Sequence, residues 1–229
     1  MAPKDVGLKG IAGIDEAGRG PMFGPMVICG ILLDANTIDD LQKKGVKDSK
    51  ALSRKRREEL AGLIREVALN EVIIEIPANE IDRFREERVT LNQIEVDKFA
   101  MIAKELAPKH LFLDAADVNA ERFGIAVGES SGLLGRGCKI HSEHKADERY
   151  TVVGAASIIA KVTRDETILN LHEKYGDFGS GYPSDPKSIK YLEELLTSDS
   201  QLPVFVRKSW KSVSNRFLKG NNIQSKLEI

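Results

Sequence analysis

The chain has 229 residues, of which 41% are hydrophobic and 30% charged, and its formal net charge is -1. This length and composition are typical of a globular protein with a sizeable core. The near-neutral charge argues against a surface that binds polyanions throughout, so any nucleic-acid contact must be local. Two cysteines make no zinc or disulfide framework. Because the sequence has neither a secretory signal nor a membrane-length apolar run, we expect a cytoplasmic protein without a membrane contact.

Strand-like and helix-like segments alternate along the chain, which predicts an α/β fold. Predicted strands cover residues 11–14, 26–33, 72–76, 110–113 and 139–141. Predicted helices cover residues 53–70, 90–106, 154–175 and 187–196. Small residues at the start of the third helix favour close packing on a sheet, and Gly176 is expected to end that helix. A basic tail follows from Arg207 to Lys219, either contacting nucleic acid or forming a solvated helix face.

Acidic residues come directly after the apolar strands. Asp15 and Glu16 follow the first predicted strand, Asp114 follows the fourth, and Asp147 precedes the long helix. Since the carboxyl ends of strands face the ligand crevice in an open α/β sheet, these acids can meet if their strands are neighbours. Several convergent carboxylates repel one another unless cations lie between them. An acid taken alone is more often a solvated turn residue or a helix cap, but this interpretation weakens for Asp15 and Glu16 because a glycine- and arginine-containing turn follows them.

A glycine-rich turn follows the first acids without a break, as Gly18-Arg19-Gly20-Pro21. Exposed backbone N–H groups and an arginine can hold phosphate. The glycine spacing, G-x-G-x-x-x-G, does not fit a dinucleotide fingerprint, and no Walker lysine motif is present. A turn that holds one nucleotide, including a ribose 2′-OH, fits better. A tight hairpin turn that simply requires glycine is the alternative.

Several motifs in order resemble type 2 ribonuclease H (RNase HII), and the last two are similar to its archaeal form. They are GIDEAGRGP at 13–21, DSK at 48–50, Asp114, KAD at 145–147, AASIIAKVTRD at 155–165, SGYPSD at 180–185 and RKSW at 207–210. The resemblance extends over residues 11–217. It implies a ribonuclease H-like α/β fold, with a five-stranded mixed sheet flanked by helices. It also implies a catalytic domain over 1–176 and a helical, substrate-binding C-terminal subdomain over 177–229.

The resemblance further implies an endoribonuclease that uses two Mg²⁺ or Mn²⁺ ions. Cleavage is expected on the 5′ side of ribonucleotides, in RNA–DNA hybrids and within duplex DNA, leaving 3′-OH and 5′-phosphate ends. The implied catalytic, metal-binding residues are Asp15, Glu16, Asp114 and Asp147. The implied substrate-binding residues are Gly18, Arg19 and Gly20 for the ribonucleotide, Tyr182 for the next sugar, and Ser49, Lys50, Lys161, Arg164 and Ser184 for phosphates.

Two other functions remain open at this stage. A DNA nuclease or strand-transfer enzyme of the same fold would cleave all-DNA duplex, and a non-catalytic binding module would bind nucleic acid without cleavage. Residues 224–229 begin like a sliding-clamp peptide but lack its aromatic pair, which predicts a weak clamp contact at most. The absence of long apolar surface runs favours a monomer.

Overall fold

The computed structural model describes residues 9–46, 52–198 and 201–216. The strands are β1 (Ile11–Ala17), β2 (Met26–Leu33), β3 (Asn70–Ile76), β4 (His110–Asp114) and β5 (Lys139–Glu143). The helices are α1 (Ala35–Lys43), α2 (Arg54–Val67), α3 (Ala78–Glu86), α4 (Leu91–Leu106), α5 (Ala120–Ser131), α6 (Ala146–Arg149), α7 (Thr151–Tyr175) and α8 (Pro186–Thr197). Residues 211–216 are helical as well.

The strands form one five-stranded mixed sheet in the order β3-β2-β1-β4-β5. Strand β1 pairs antiparallel with β2, as expected for the hairpin, and parallel with β4 on its other side. Strands β4 and β5 are also parallel. The predicted sheet is therefore confirmed, and the carboxyl ends of β1, β4 and β5 lie along the same edge.

The chain divides into two compact units. Of the described residues, the first unit contains those up to Ala17, those of Val27–Glu75 and those of Leu91–Thr163. The second unit contains Gly18–Met26, Ile76–Thr90 and the described residues from Arg164 onward. The predicted domain boundary after residue 176 stays a prediction. None of the helices in the described ranges is long and apolar enough to span a bilayer.

In the first unit, the start of α7 packs directly on β1. A Cβ atom added at Gly13 would lie 2.4 Å from the carbonyl carbon of Val152, so any side chain there would push the helix off the strand. Ala155 and Ala156 are fully buried in the same core. The small residues thus provide the close packing predicted for them, although the helix begins at Thr151 rather than at residue 154.

In the second unit, an aromatic cluster forms the core. The ring centroids of Phe23 and Phe178 lie 5.3 Å apart, and Phe205 lies 5.1 Å from Phe178. Phe23 belongs to the segment after β1, whereas the other two rings come from the last third of the chain. The glycine-rich segment is therefore held on the C-terminal residues of this unit by apolar packing.

Candidate active site

Three aspartates meet at the carboxyl edge of the sheet. Ile14 of β1 lies beside Leu113 of the parallel strand β4, so the next residues, Asp15 and Asp114, are neighbours. Asp147 lies in α6, just after β5. One carboxylate oxygen from each aspartate lies within 4.8 Å of the other two. The structure thus brings together three of the four predicted acids, called here the aspartate cluster.

A strained backbone position leads into Asp147. Lys145 adopts a left-handed conformation with φ of 57°, which is unfavourable for a residue with a side chain. The following residue, Ala146, donates its backbone N–H to Oδ1 of Asp114 over 3.0 Å. The turn at Lys145 therefore joins α6 to the end of β4 and helps fix Asp147 near Asp114. Strain of this kind is common where a site is held in a set geometry.

The aspartate cluster is electrostatically unfavourable without a cation. Asp15 is 3% exposed. Burial, followed by the negative charge of Asp114 and to a smaller degree that of Asp147, raises the pKa of Asp15 to about 7. The ammonium group of Lys161 and a hydrogen bond from Ser157 act in the opposite direction. Because the opposing groups do not offset burial and repulsion, the charged cluster favours a bound divalent cation.

The chemistry of the cluster fits a hard divalent cation. Its members are all carboxylates, the ligand type that Mg²⁺ and Mn²⁺ prefer over nitrogen or sulfur. Glu16 is half-buried and follows Asp15 in β1, where successive side chains point to opposite faces. It is not a member of the group within 4.8 Å. Its role as a metal ligand stays a prediction.

The segment Gly18–Gly24, called here the glycine turn, requires glycine at its first residue. Gly18 has a φ of +82°, and a Cβ atom there would lie 2.4 Å from Nε of Arg164 and 2.6 Å from the carbonyl oxygen of Pro25. Gly20 is exposed. Among the described residues, a Cβ placed at Gly20 would meet one side chain within 4 Å, the ring of Tyr182 at 3.8 Å. The glycine turn is therefore packed tightly at its start and open to solvent at Gly20.

Carbonyl groups of the glycine turn accept hydrogen bonds from two side chains, Arg207 and Trp210, whose contact with the turn the sequence did not predict. Arg207 is fully buried and donates to the carbonyl oxygens of Gly18 (2.6 Å), Arg19 (3.1 Å) and Gly24 (3.0 Å). Nε1 of Trp210 donates to the carbonyl oxygen of Gly20 over 3.2 Å. The assignment of Arg207 to an exposed basic tail is wrong. Its position after the apolar run Pro203–Val206 was the one available signal for burial.

The other predicted substrate-binding residues differ in exposure. Tyr182 is 37% exposed, and the guanidinium carbon of Arg164 lies 5.4 Å from its ring centroid. Arg164 itself is buried and donates to the carbonyl oxygen of Phe23, which favours a supporting role over a phosphate contact. Lys161 lies near the aspartate cluster and donates to Ser157 Oγ. Ser184 is exposed, whereas Ser49 and Lys50 lie outside the described residues.

The sequence and the fold both match one family. The family model of ribonuclease HII matches residues 12–213. The ribonuclease HII of Thermococcus sibiricus is 48% identical over 205 residues, which cover 89% of each chain. The structure of ribonuclease H2 from Pyrococcus horikoshii OT3 superimposes with a TM-score of 0.84 at 38% identity, covering 92% of this chain and 98% of that one.

A structure of the PCNA:RNase HII complex from Archaeoglobus fulgidus matches with a TM-score of 0.81 at 43% identity, over 90% of this chain and 95% of that one. These matches cover both the aspartate cluster and the glycine turn, and each extends over nearly the whole of both proteins. The chain therefore belongs to the ribonuclease HII family and is a metal-dependent hydrolase with ribonuclease H activity.

Proposed function

We propose that this ribonuclease H cleaves on the 5′ side of a ribonucleotide, both in RNA–DNA hybrids and at single ribonucleotides embedded in duplex DNA. The products are 3′-OH and 5′-phosphate ends. The observation that carries the proposal is the convergence of Asp15, Asp114 and Asp147 to within 4.8 Å. In the sequence, the glycine turn follows directly after the strand that carries Asp15. Metal-binding carboxylates and a nucleotide-binding turn are thus joined by a single strand.

In this proposal Asp15, Glu16, Asp114 and Asp147 hold two Mg²⁺ or Mn²⁺ ions. When bound, such ions supply an activated water and stabilise the leaving oxygen of an in-line displacement. Asp15 is the best candidate for a ligand shared between the ions, because its charge interacts with both Asp114 and Asp147. The positive charge of Lys161 opposes the rise in the Asp15 pKa and so favours the ionised carboxylate that would hold a cation.

The glycine turn is proposed to select the ribonucleotide. Backbone groups of Gly18, Arg19 and Gly20 can bond a ribose 2′-OH and the adjacent phosphates, and a 2′-OH is what distinguishes RNA from DNA at one position. Tyr182 is proposed to stack on the sugar that follows, with Arg164 beneath its ring. Ser49, Lys50 and Ser184 are proposed phosphate contacts, and Arg164 is proposed to support the turn.

Two further parts of the proposal concern the C-terminal region. Residues 177–229, which contain Tyr182 and Ser184, are proposed to form a substrate-binding subdomain. Residues 224–229, which lie outside the described residues, are proposed to make a weak contact with a sliding clamp. The solved complex of the Archaeoglobus fulgidus relative with PCNA supports such a contact. Deletion of 224–229 should reduce clamp binding and leave cleavage unchanged, and size-exclusion chromatography should give a monomer.

The test of the central proposal is cleavage of an end-labelled DNA duplex that contains one ribonucleotide. We expect a single cut on its 5′ side with Mg²⁺ or Mn²⁺, no cut with chelator, and no cut of the matching all-DNA duplex. Asp15→Asn should abolish cleavage while retaining duplex binding. Cleavage of the all-DNA duplex would favour a DNA nuclease instead. Binding without cleavage by the wild-type protein would favour a non-catalytic module.

A further inference from the structure

Four carbonyl groups of the glycine turn accept hydrogen bonds from two side chains of one short loop, residues 207–210, and the backbone N–H of Arg207 donates to a fifth, that of Met22. Arg207 donates to those of Gly18, Arg19 and Gly24, and Trp210 donates to that of Gly20. The guanidinium carbon of Arg207 also lies 4.8 Å from the ring centroid of Trp210. The side chains of Arg207 and Trp210, called here the platform, therefore contact each other and together fix the carbonyl groups of the turn.

The direction of these carbonyl groups determines the direction of the N–H groups of the turn. In a trans peptide, the C=O of one residue and the N–H of the next lie in one plane and point in opposite directions. Because the Gly18 and Arg19 carbonyls point toward Arg207, the N–H groups of Arg19 and Gly20 point away from it. The platform thus presents two backbone donors on the face of the turn opposite Arg207.

The loop that carries the platform is itself anchored. Asp82 of α3 is 7% exposed and accepts hydrogen bonds from the N–H groups of Lys208 (2.8 Å) and Ser209 (3.0 Å), and from Ser209 Oγ (2.6 Å). Its negative charge also favours the ionised form of Arg207, opposing the burial that lowers the Arg207 pKa to about 9. The buried arginine therefore has a counter-charge as well as acceptors for its donors.

We propose that Arg207 is a positioning residue that orients the Arg19 and Gly20 N–H groups and thereby sets the preference for a ribonucleotide over a deoxyribonucleotide. This inference rests on the proposed function of the glycine turn. Arg207 contacts no substrate in this proposal, since it is fully buried. It acts through the backbone of the turn, whose carbonyl groups it fixes.

The arrangement requires arginine rather than a positive charge in general. A guanidinium has five N–H donors in a rigid plane, and Arg207 uses Nε, Nη1 and Nη2 to reach three carbonyl groups. A lysine has the same charge but one nitrogen, which cannot lie within hydrogen-bond distance of all three. Arg207→Lys therefore keeps the buried positive charge but removes the set of hydrogen bonds that orients the turn.

The experiment measures single-turnover cleavage of the one-ribonucleotide duplex, with the all-DNA duplex as competitor. Two quantities are measured: the inhibition constant of the all-DNA duplex, and the enzyme concentration that half-saturates cleavage of the one-ribonucleotide duplex. The first divided by the second gives the preference for a ribonucleotide. For Arg207→Lys we expect this ratio to fall by about tenfold, the scale of losing one hydrogen bond to a charged group. Binding of the all-DNA duplex and of Mn²⁺ should stay at wild-type strength. Arg65→Lys on the surface of α2 is the matched control and should change neither value.

A purely structural role for Arg207 predicts a different result. Once corrected for the folded fraction by circular dichroism, the ratio would equal that of the wild type, and this outcome overturns the inference. If Arg207→Lys does not fold, Trp210→Phe decides, because it retains an aromatic ring and loses the single bond to Gly20. We expect a drop in the ratio of about threefold for Trp210→Phe, and an unchanged ratio would overturn the inference. A wild-type enzyme without any preference would instead contradict the proposed function itself.

Discussion

The aspartate cluster and the glycine turn are stabilised in opposite ways. In the cluster, burial and like charges raise the pKa of Asp15, so its ionised form is disfavoured in the metal-free protein. In the turn, Arg207 and Trp210 satisfy the carbonyl groups of Gly18, Arg19, Gly20 and Gly24. The cluster thus depends on its ligand for stability, whereas the turn is already ordered by the protein.

Asp15→Asn should give the largest effect and has opposite consequences for activity and stability. We expect cleavage to fall by about a thousandfold or more, the scale of losing a key electrostatic contact in the transition state. In metal-free buffer at pH 8 we expect a higher melting temperature than wild type, because a repelling buried charge is removed. Cleavage assays and thermal melts with chelator measure the two changes.

Asp117→Asn is the matched control for that stability effect. Hydrogen bonds from Arg122 and from the Asn119 N–H lower the pKa of Asp117 to about 2, so its charge is favourable in the folded protein. This substitution should lower the melting temperature at pH 8. If Asp15→Asn also lowered the melting temperature, the conclusion that the buried Asp15 charge is repelled within the aspartate cluster would be wrong.

Gly18→Ala tests the turn and should have the next largest effect. A methyl group would meet Arg164 and Pro25 at 2.6 Å or less, in addition to the cost of its positive φ. We expect a loss of about 2–4 kcal/mol in the free energy of unfolding, the sum of overpacking and left-handed strain, together with a weaker ribonucleotide preference.

Gly45→Ala measures the strain alone, since Gly45 has a φ of +85° and, apart from its chain neighbours, no heavy atom of the described residues lies within 4 Å of a Cβ placed there. It should cost about 1 kcal/mol by chemical denaturation and leave the preference intact. Equal costs for the two alanine variants would show that the turn is not tightly packed.

Tyr182→Ala should have a smaller effect, restricted to substrate binding. Removing a stacking ring weakens nucleic-acid binding by about tenfold. Tyr182→Phe retains the ring and should bind the one-ribonucleotide duplex with the same affinity as wild type, measured by single-turnover titration. A tenfold loss in the phenylalanine variant would assign the interaction to the hydroxyl group rather than to stacking.

The sign of the pH dependence of stability distinguishes the aspartate cluster from an ordinary ion pair. The pKa of Asp15 is raised from 3.8 to about 7. Between pH 3.8 and about 7, the folded state therefore binds more protons than the unfolded state. The contribution of Asp15 to stability is therefore greatest at low pH and falls as pH rises toward 7. The wild-type melting temperature minus that of Asp15→Asn, in chelator, should fall from pH 5 to pH 8. Saturating Mn²⁺ should reverse this trend.

Much of the site was predictable because its signals are local. The apolar runs predict the strands, and the acids at their ends predict the cluster once β1 and β4 are neighbours. The pairing of β1 with β4 is a tertiary contact, and we predicted it from the family resemblance rather than from local signals. Helix α5 was missed because Gly124 and Gly128 weaken its helix signal. They are needed there, since side chains would lie within 2.7 Å of Ser142 and Ile140 in β5.

The role of Arg207 was predicted wrongly for a different reason. Its acceptors are backbone carbonyl groups 183 to 189 residues away in the chain. Backbone groups have no residue type, so no motif marks them as partners of an arginine. In a tail with five basic residues and no acidic ones, a solvent-exposed charge was the natural interpretation.

The central claim is that the aspartate cluster needs a metal ion, whereas the glycine turn is held by the protein itself. Anomalous diffraction from crystals with and without Mn²⁺ tests this claim most directly. We predict manganese peaks in direct coordination contact with carboxylate oxygens of Asp15, Asp114 and Asp147. Their side chains should shift toward the ions, while the bonds from Arg207 to Gly18, Arg19 and Gly24 stay the same in both crystals. Manganese bound away from these aspartates, or a glycine turn that forms these bonds only with metal present, would contradict the account.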